Sequence, residues 1–167
     1  MRRASLAIVV AAALSACGNG MTSEEKAAHD ERDIAMVEKA NRGQPIPVSP
    51  LPILFPDIEK YDLYGTTCAF VAQGGGVGAI AIARDRDAYV KYEDRMVRFA
   101  ADKGSAPLPY GTHGRYDGKE HSLQLAIDQA TGRQNGAEAM TYKGRLTLRD
   151  PLGNVVYDQP GEVQCGS

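Results

Sequence analysis

No apolar run in this chain is long enough to cross a bilayer as a helix; the N-terminal one, Leu6–Leu14, falls well short of the ~20 residues a span requires. A basic excess is missing too: 19 Lys and Arg stand against 21 Asp and Glu, a balance that does not favour nucleic acid as a partner. Short signatures of catalysis are equally scarce. No G-x-S-x-G is present to set a nucleophile on a strained turn, and Ser105, Ser122 and Ser167 have no recognisable base beside them. Neither H-E-x-x-H nor C-x-x-C occurs, and His29, His113 and His121 lack ligand spacing. His113, Asp117, Glu120 and His121 fall within nine residues, which reads as a solvated loop rather than a zinc site. The glycine run 74–78 is followed by Ala79–Ala83, which reads as a strand and carries no Lys-Ser or Lys-Thr. That context points to a glycine-rich hairpin, not a phosphate-cradling loop. The expectation is a protein that is not an enzyme and takes no cofactor and no metal.

What is present begins with an address. Arg2 and Arg3 precede the apolar stretch Leu6–Leu14, and small residues lead to Cys17, the layout of a secretory signal. Leu14-Ser15-Ala16-Cys17 resembles a bacterial lipobox. The resemblance implies removal of residues 1–16, attachment of diacylglycerol to the Cys17 sulfur and, in most such proteins, acylation of the new amine with a palmitate-like chain. Two or more acyl chains hold a protein on a membrane where one is marginal. Gly18 rather than aspartate follows the cysteine, which in this class implies sorting to the outer membrane, facing the periplasm. The remaining 151 residues suit one domain, and loss of Arg2 and Arg3 leaves 17 basic against 21 acidic side chains, a formal −4.

With Cys17 assigned to lipid, Cys68 and Cys165 remain in an oxidising compartment and are expected to pair. That bridge closes a loop of about 100 residues, which in the chain-entropy model contributes roughly 4 to 5 kcal/mol.

Thr22-Ser23-Glu24-Glu25 fits a capping box and predicts a helix from Thr22 to about Arg42, stopped near Gly43. Its apolar stripe, which includes Ala28, Ile34 and Val37, is patchy, and a spacer within 17–43 is the favoured role, with packing on the domain or a partner as the alternative. Pro45, Pro47, Pro50, Pro52 and Pro56 then predict an extended connector over 44–60. Ile46, Val48, Leu51, Ile53, Leu54 and Phe55 interleave these prolines, so the strip is expected to cover the core, or else to offer a polyproline docking site.

From Tyr61 onward the period becomes two. Leu146 and Leu148 alternate with Arg145, Thr147 and Arg149, and Leu123, Leu125 and Ile127 repeat the pattern. Further strands are expected at 64–73, 78–84, 88–92, 95–100, 155–159 and 161–165, about eight in all. Tyr92–Arg95 and Pro151–Asn154 read as hairpin turns. The fold class expected for 61–167 is therefore mainly β, a small antiparallel barrel or sandwich.

Thr112-His113-Gly114-Arg115-Tyr116, set between Cys68 and Cys165 in a meander behind a lipobox, looks like part of the membrane-bound inhibitors of c-type lysozyme. That family consists of small eight-stranded barrels in which a Ser-Gly-x-Arg/Lys-Tyr loop and a later lysine enter the lysozyme cleft. The resemblance implies that Thr112 supplies the hydroxyl and that Arg115 and Tyr116 belong to a binding loop. His113 stands where the family has glycine, and neither Lys119 nor Lys143 falls at the spacing of the inhibitory lysine. The expected function is a lipid-anchored, non-enzymatic envelope protein whose β domain binds a protein, lysozyme-like or another envelope component, or a cell-wall partner. The alternative is an assembly lipoprotein that acts through the helix and the proline strip.

Overall fold

The computed structural model describes residues 22–41 and 43–167. The segment expected to be a signal, residues 1–16, and Cys17 lie outside the described residues. The described residues fall into two units, the first ending at Gly43 and the second Gln44–Ser167.

The first unit contains helix α1, Ser23–Asn41. Its start is the expected capping box: the Thr22 amide donates to Glu25 Oε2 (2.8 Å) and the Glu25 amide to Thr22 Oγ1 (3.2 Å), so two donors at the helix start are satisfied reciprocally. The helix buries none of its residues.

The second unit is a closed barrel of eight antiparallel strands in chain order. They are β1 (Thr67–Ala72), β2 (Ala81–Ala83), β3 (Asp87–Tyr92), β4 (Arg95–Ala101), β5 (Arg115–Asp117), β6 (Ser122–Gln134), β7 (Met140–Arg149) and β8 (Val155–Gly166). Pairing of β1 with β8 closes the ring and sets Cys68 directly opposite Cys165, which are bonded as a disulfide. Both expected hairpin turns are present. Tyr92 pairs with Arg95 across Glu93 and Asp94, both at positive φ, the hand of a type I′ turn. Period-two burial follows the pleat, and Phe70, Val90, Phe99, Tyr116, Leu123, Leu125, Leu146, Leu148 and Val163 fill the interior. Eight strands enclose a space that side chains can fill, and here they do.

The strand count agrees with expectation through two compensating differences. Val155–Gln159 and Gly161–Cys165 form one strand that passes through Pro160. The β1 ladder ends at Ala72↔Gly161, so the donor Pro160 lacks lies one residue beyond the last rung, and its carbonyl still accepts from the Gln73 amide (2.9 Å). Next to it, a Cβ on Gly161 would lie 2.1 Å from the Val71 carbonyl oxygen, so glycine is required by close approach of the backbone. The additional strand is β5, three residues that sequence patterning assigned to a loop.

Residues 48–63 bond first to β8 and then cover the outside of β2, β3 and β4. The amides of Val48, Leu51 and Ile53 donate to Val156, Lys91 and Ala79 carbonyls at 3.0, 2.6 and 2.7 Å. Pro50 and Pro52 alternate with Leu51 and Ile53, so the residues without an N–H fall where no ladder bond is needed. The extended connector expected through residue 60 ends earlier, because Phe55–Tyr61 is helix α2. Pro56 sits in the first turn, where its missing donor costs nothing, and the Asp57 carboxylate accepts from the Leu54 amide (3.0 Å). Ile53 and Leu63 thereby cover Ile82, which explains why all three residues of β2 are buried: Ala81 and Ala83 face the barrel interior, while Ile82 faces this outer layer.

Candidate functional site

Between β4 and β5 the chain forms a loop whose base is closed by the Asp102 amide on the Arg115 carbonyl (3.0 Å) and the Gly114 amide on the Ala106 carbonyl (2.8 Å). Its tip is a single 3-10 turn, Pro109–Gly111, with Tyr110 in the left-handed region (φ 58°). The four residues expected to form a binding loop part company here. Thr112 is 0 % exposed, and its hydroxyl donates to the Pro109 carbonyl (2.8 Å) and lies 3.3 Å from Cys68 Sγ. Tyr116 is also 0 % exposed. It is the inward residue of β5 and pairs with Leu123, and its hydroxyl accepts from the His113 amide and donates to the Arg84 carbonyl, both at 2.8 Å. Burial pushes its phenol up to about 12. His113 is half-buried with its ring edge-on to Tyr116 (centroids 6.2 Å apart), and its Nδ1 has no hydrogen-bond partner. Arg115 is exposed and paired with Asp117 (3.0 Å). Thr112 and Tyr116, which the lysozyme-inhibitor resemblance places in a binding loop, are thus both buried here. The threonine hydroxyl is consumed in closing the turn, and the tyrosine is consumed in the core.

The Tyr116 bond to Arg84 leads to a cluster that motif reasoning missed. Arg84 leaves β2 and Asp87 opens β3, with the Arg84 amide donating to the Asp87 carbonyl (2.7 Å). The Asp87 side chain is buried, and each oxygen accepts from a guanidinium Nε, Oδ1 from Arg84 at 2.8 Å and Oδ2 from Arg98 at 2.9 Å. Strand register sets this up, since Tyr89 pairs with Arg98 and Asp87 lies two residues earlier on the same face of β3. Arg84 also donates to the Asp62 carbonyl (3.1 Å) and lies over the Tyr89 ring (5.2 Å from its centroid), which ties the cluster to the end of α2. Burial alone would raise the Asp87 carboxyl, but the bonds from Arg84 and Arg98 outweigh it and hold the group below its ordinary value. The bond to Asp87 correspondingly raises Arg84.

A surface recess of about 760 Å³ opens beside this cluster and includes Tyr64, Arg86, Tyr110 and Gly111. Arg84-Asp85-Arg86-Asp87, two consecutive basic-acidic pairs, is the sequence signal that marks it. A smaller recess of about 310 Å³ is lined by Arg115, Asp117, His121, Arg149 and Asp150, and the His121 Nδ1 lies 3.0 Å from the Tyr92 hydroxyl. His113 and His121 therefore have different partners. Among the described residues, no three His, Cys, Asp or Glu side chains converge as metal ligands.

Fold and recesses together define a closed eight-stranded meander barrel with a filled interior and polar surface depressions. No protein-family model, curated protein or solved structure matches this chain. The likeness to lysozyme inhibitors accordingly rests on the residues named for it.

Proposed function

We propose that this chain is a lipid-anchored protein of the bacterial cell envelope, held at the outer membrane through Cys17, whose β domain binds a protein or cell-wall partner without catalysing a reaction. The observation that carries the reading is the filled barrel. Core side chains occupy the interior, which leaves the outer surface, and above all the Arg84–Asp87–Arg98 end with its adjoining loop, as the place for recognition. The disulfide is in keeping with an oxidising compartment. A Cys17→Ser chain is expected to leave the membrane fraction; retention there would remove the lipid anchor from the proposal.

The partner is tested by pull-down from envelope extract with the oxidised domain, hen-type lysozyme being one added bait. Capture of lysozyme that Arg115→Ala abolishes would support an inhibitor-like role carried by the exposed arginine, since Thr112 and Tyr116 are buried. Absence of lysozyme capture would end that branch. Exposed Ile34, Met36 and Val37 on α1 favour a second reading, an assembly lipoprotein that docks through the helix. Deletion of Thr22–Gly43 separates the two. Capture lost with the helix assigns binding to α1, and capture retained assigns it to the barrel.

A further inference from the structure

We propose that the recess beside Asp87 is a binding site for an anionic sugar, a saccharide carrying a carboxylate or phosphate oxyanion. The inference rests on the binding reading above and names the ligand class for that end of the barrel. Three guanidinium groups, Arg84, Arg86 and Arg98, line the recess with Asp85, Asp87 and the rings of Tyr64 and Tyr110. Not one aliphatic side chain lines it, whereas a protein-binding patch buries an apolar centre. Its volume of about 760 Å³ is that of a small-ligand site.

The charges are arranged rather than merely present. Asp87 is 5 % exposed, so its charge is spent on aligning Arg84 and Arg98. Arg98 gives only its Nε to that pair and its side chain is 63 % exposed, which leaves the Nη face of the fork wet. Arg86 is freer still, with a side chain 81 % exposed and its Nε 3.8 Å from Asp85. A guanidinium fork held by a buried carboxylate is pre-organised for a second, bidentate oxyanion. Three arginines against two aspartates also give the recess a positive balance on a chain of net negative charge. Tyr64 and Tyr110, 54 % and 42 % exposed, offer amphipathic rings to a sugar's C–H face. Tyr110 is held in the left-handed region at the edge of the recess, a backbone cost that a surface loop need not carry, and its hydroxyl is anchored on the Glu138 carbonyl (3.0 Å).

Calorimetric titration of the full oxidised chain tests the site with four probes: trigalacturonate, glucose 6-phosphate, neutral galactotriose and triglutamate. The expected result is one site for trigalacturonate or glucose 6-phosphate, at least tenfold tighter than for galactotriose or triglutamate. The stronger of the two names the oxyanion. Arg86→Glu and Tyr64→Ala, both exposed substitutions, should each weaken binding tenfold or more, with the thermal midpoint unchanged by circular dichroism. No binding of either anionic sugar, equal binding of galactotriose or triglutamate, or wild-type affinity in both variants would overturn the assignment. Envelope-protein capture by a chain that binds neither anionic sugar would leave the broader binding reading standing while this site fails; sugar binding without any protein capture would do the reverse for the protein arm.

Discussion

Asp87 shows how one side chain acquires meaning from its neighbours. In sequence it is one of 21 acidic residues; in the barrel it is buried between two guanidinium groups. Asp87→Asn keeps the shape and removes the charge, and is expected to cost about 2 kcal/mol in urea unfolding near neutral pH, the scale of a hydrogen bond to a charged group. The sign of the pH dependence follows from the lowered carboxyl. A group depressed on folding contributes stability above its unfolded value of about 4, and the contribution fades as pH falls through the folded value. The gap between wild type and Asp87→Asn should therefore close below about pH 4; a constant gap would mean that packing, not charge, is responsible. Tyr116 gives the alkaline counterpart. Its phenol is raised to about 12, so stability present below about pH 10 is lost as pH rises toward 12, because the unfolded chain ionises first. Tyr116→Phe should remove the last tyrosine to ionise in an ultraviolet titration. It should also cost about 1–3 kcal/mol, since the His113 amide and the Arg84 carbonyl both lose their partner.

At the scale of the element, local chemistry and tertiary placement part ways. The α1 capping box, the two hairpin turns and the alternation in β7 were legible because each depends on residues within a few positions of one another. The β3–β4 turn carries a prediction of its own. Glu93 and Asp94 occupy left-handed conformations (φ 51° and 55°) that Asn-Gly adopts at less cost. Glu93→Asn with Asp94→Gly should raise stability by about 1 kcal/mol in thermal or urea melts; a loss would show that the present side chains contribute more than their backbone strain costs. Pro56 and Pro160 misled sequence reading for a shared reason. A missing donor breaks an element only where a partner waits for it, and the first turn of α2 and the stretch of β8 beyond the β1 ladder have none waiting. Strand β5 escaped notice because three residues carry too little alternation to register a period.

At the scale of the molecule, closure decides the rest. The seam between β1 and β8 joins residues 97 apart, and Cys68 and Cys165 bridge it from within the core. Cys68→Ala with Cys165→Ala frees the unfolded chain from that constraint and is expected to lower unfolding free energy by about 4 kcal/mol, read from urea unfolding as a lower midpoint with a steeper slope, since the freed chain exposes more surface. A midpoint that barely moved would mean that strand pairing alone sets the seam. The disulfide itself was legible, because Cys68 and Cys165 are the two cysteines that remain once Cys17 is set aside as the expected lipid site. The recess was not: Tyr64, Arg84, Arg98 and Tyr110 come from four stretches of sequence and meet only when the ring closes over α2 and the β4–β5 loop.

The sequence by itself determined the period-two strands, their turns, the helix cap and the pairing of the cysteines, since these follow from backbone preferences and short-range hydrogen bonds. Only the tertiary structure decided which side chains of the 112–116 segment are spent in the core and which face solvent, and that Asp87 aligns two arginines. Burial and register are properties of the closed barrel, where a side chain's role depends on strands distant in sequence.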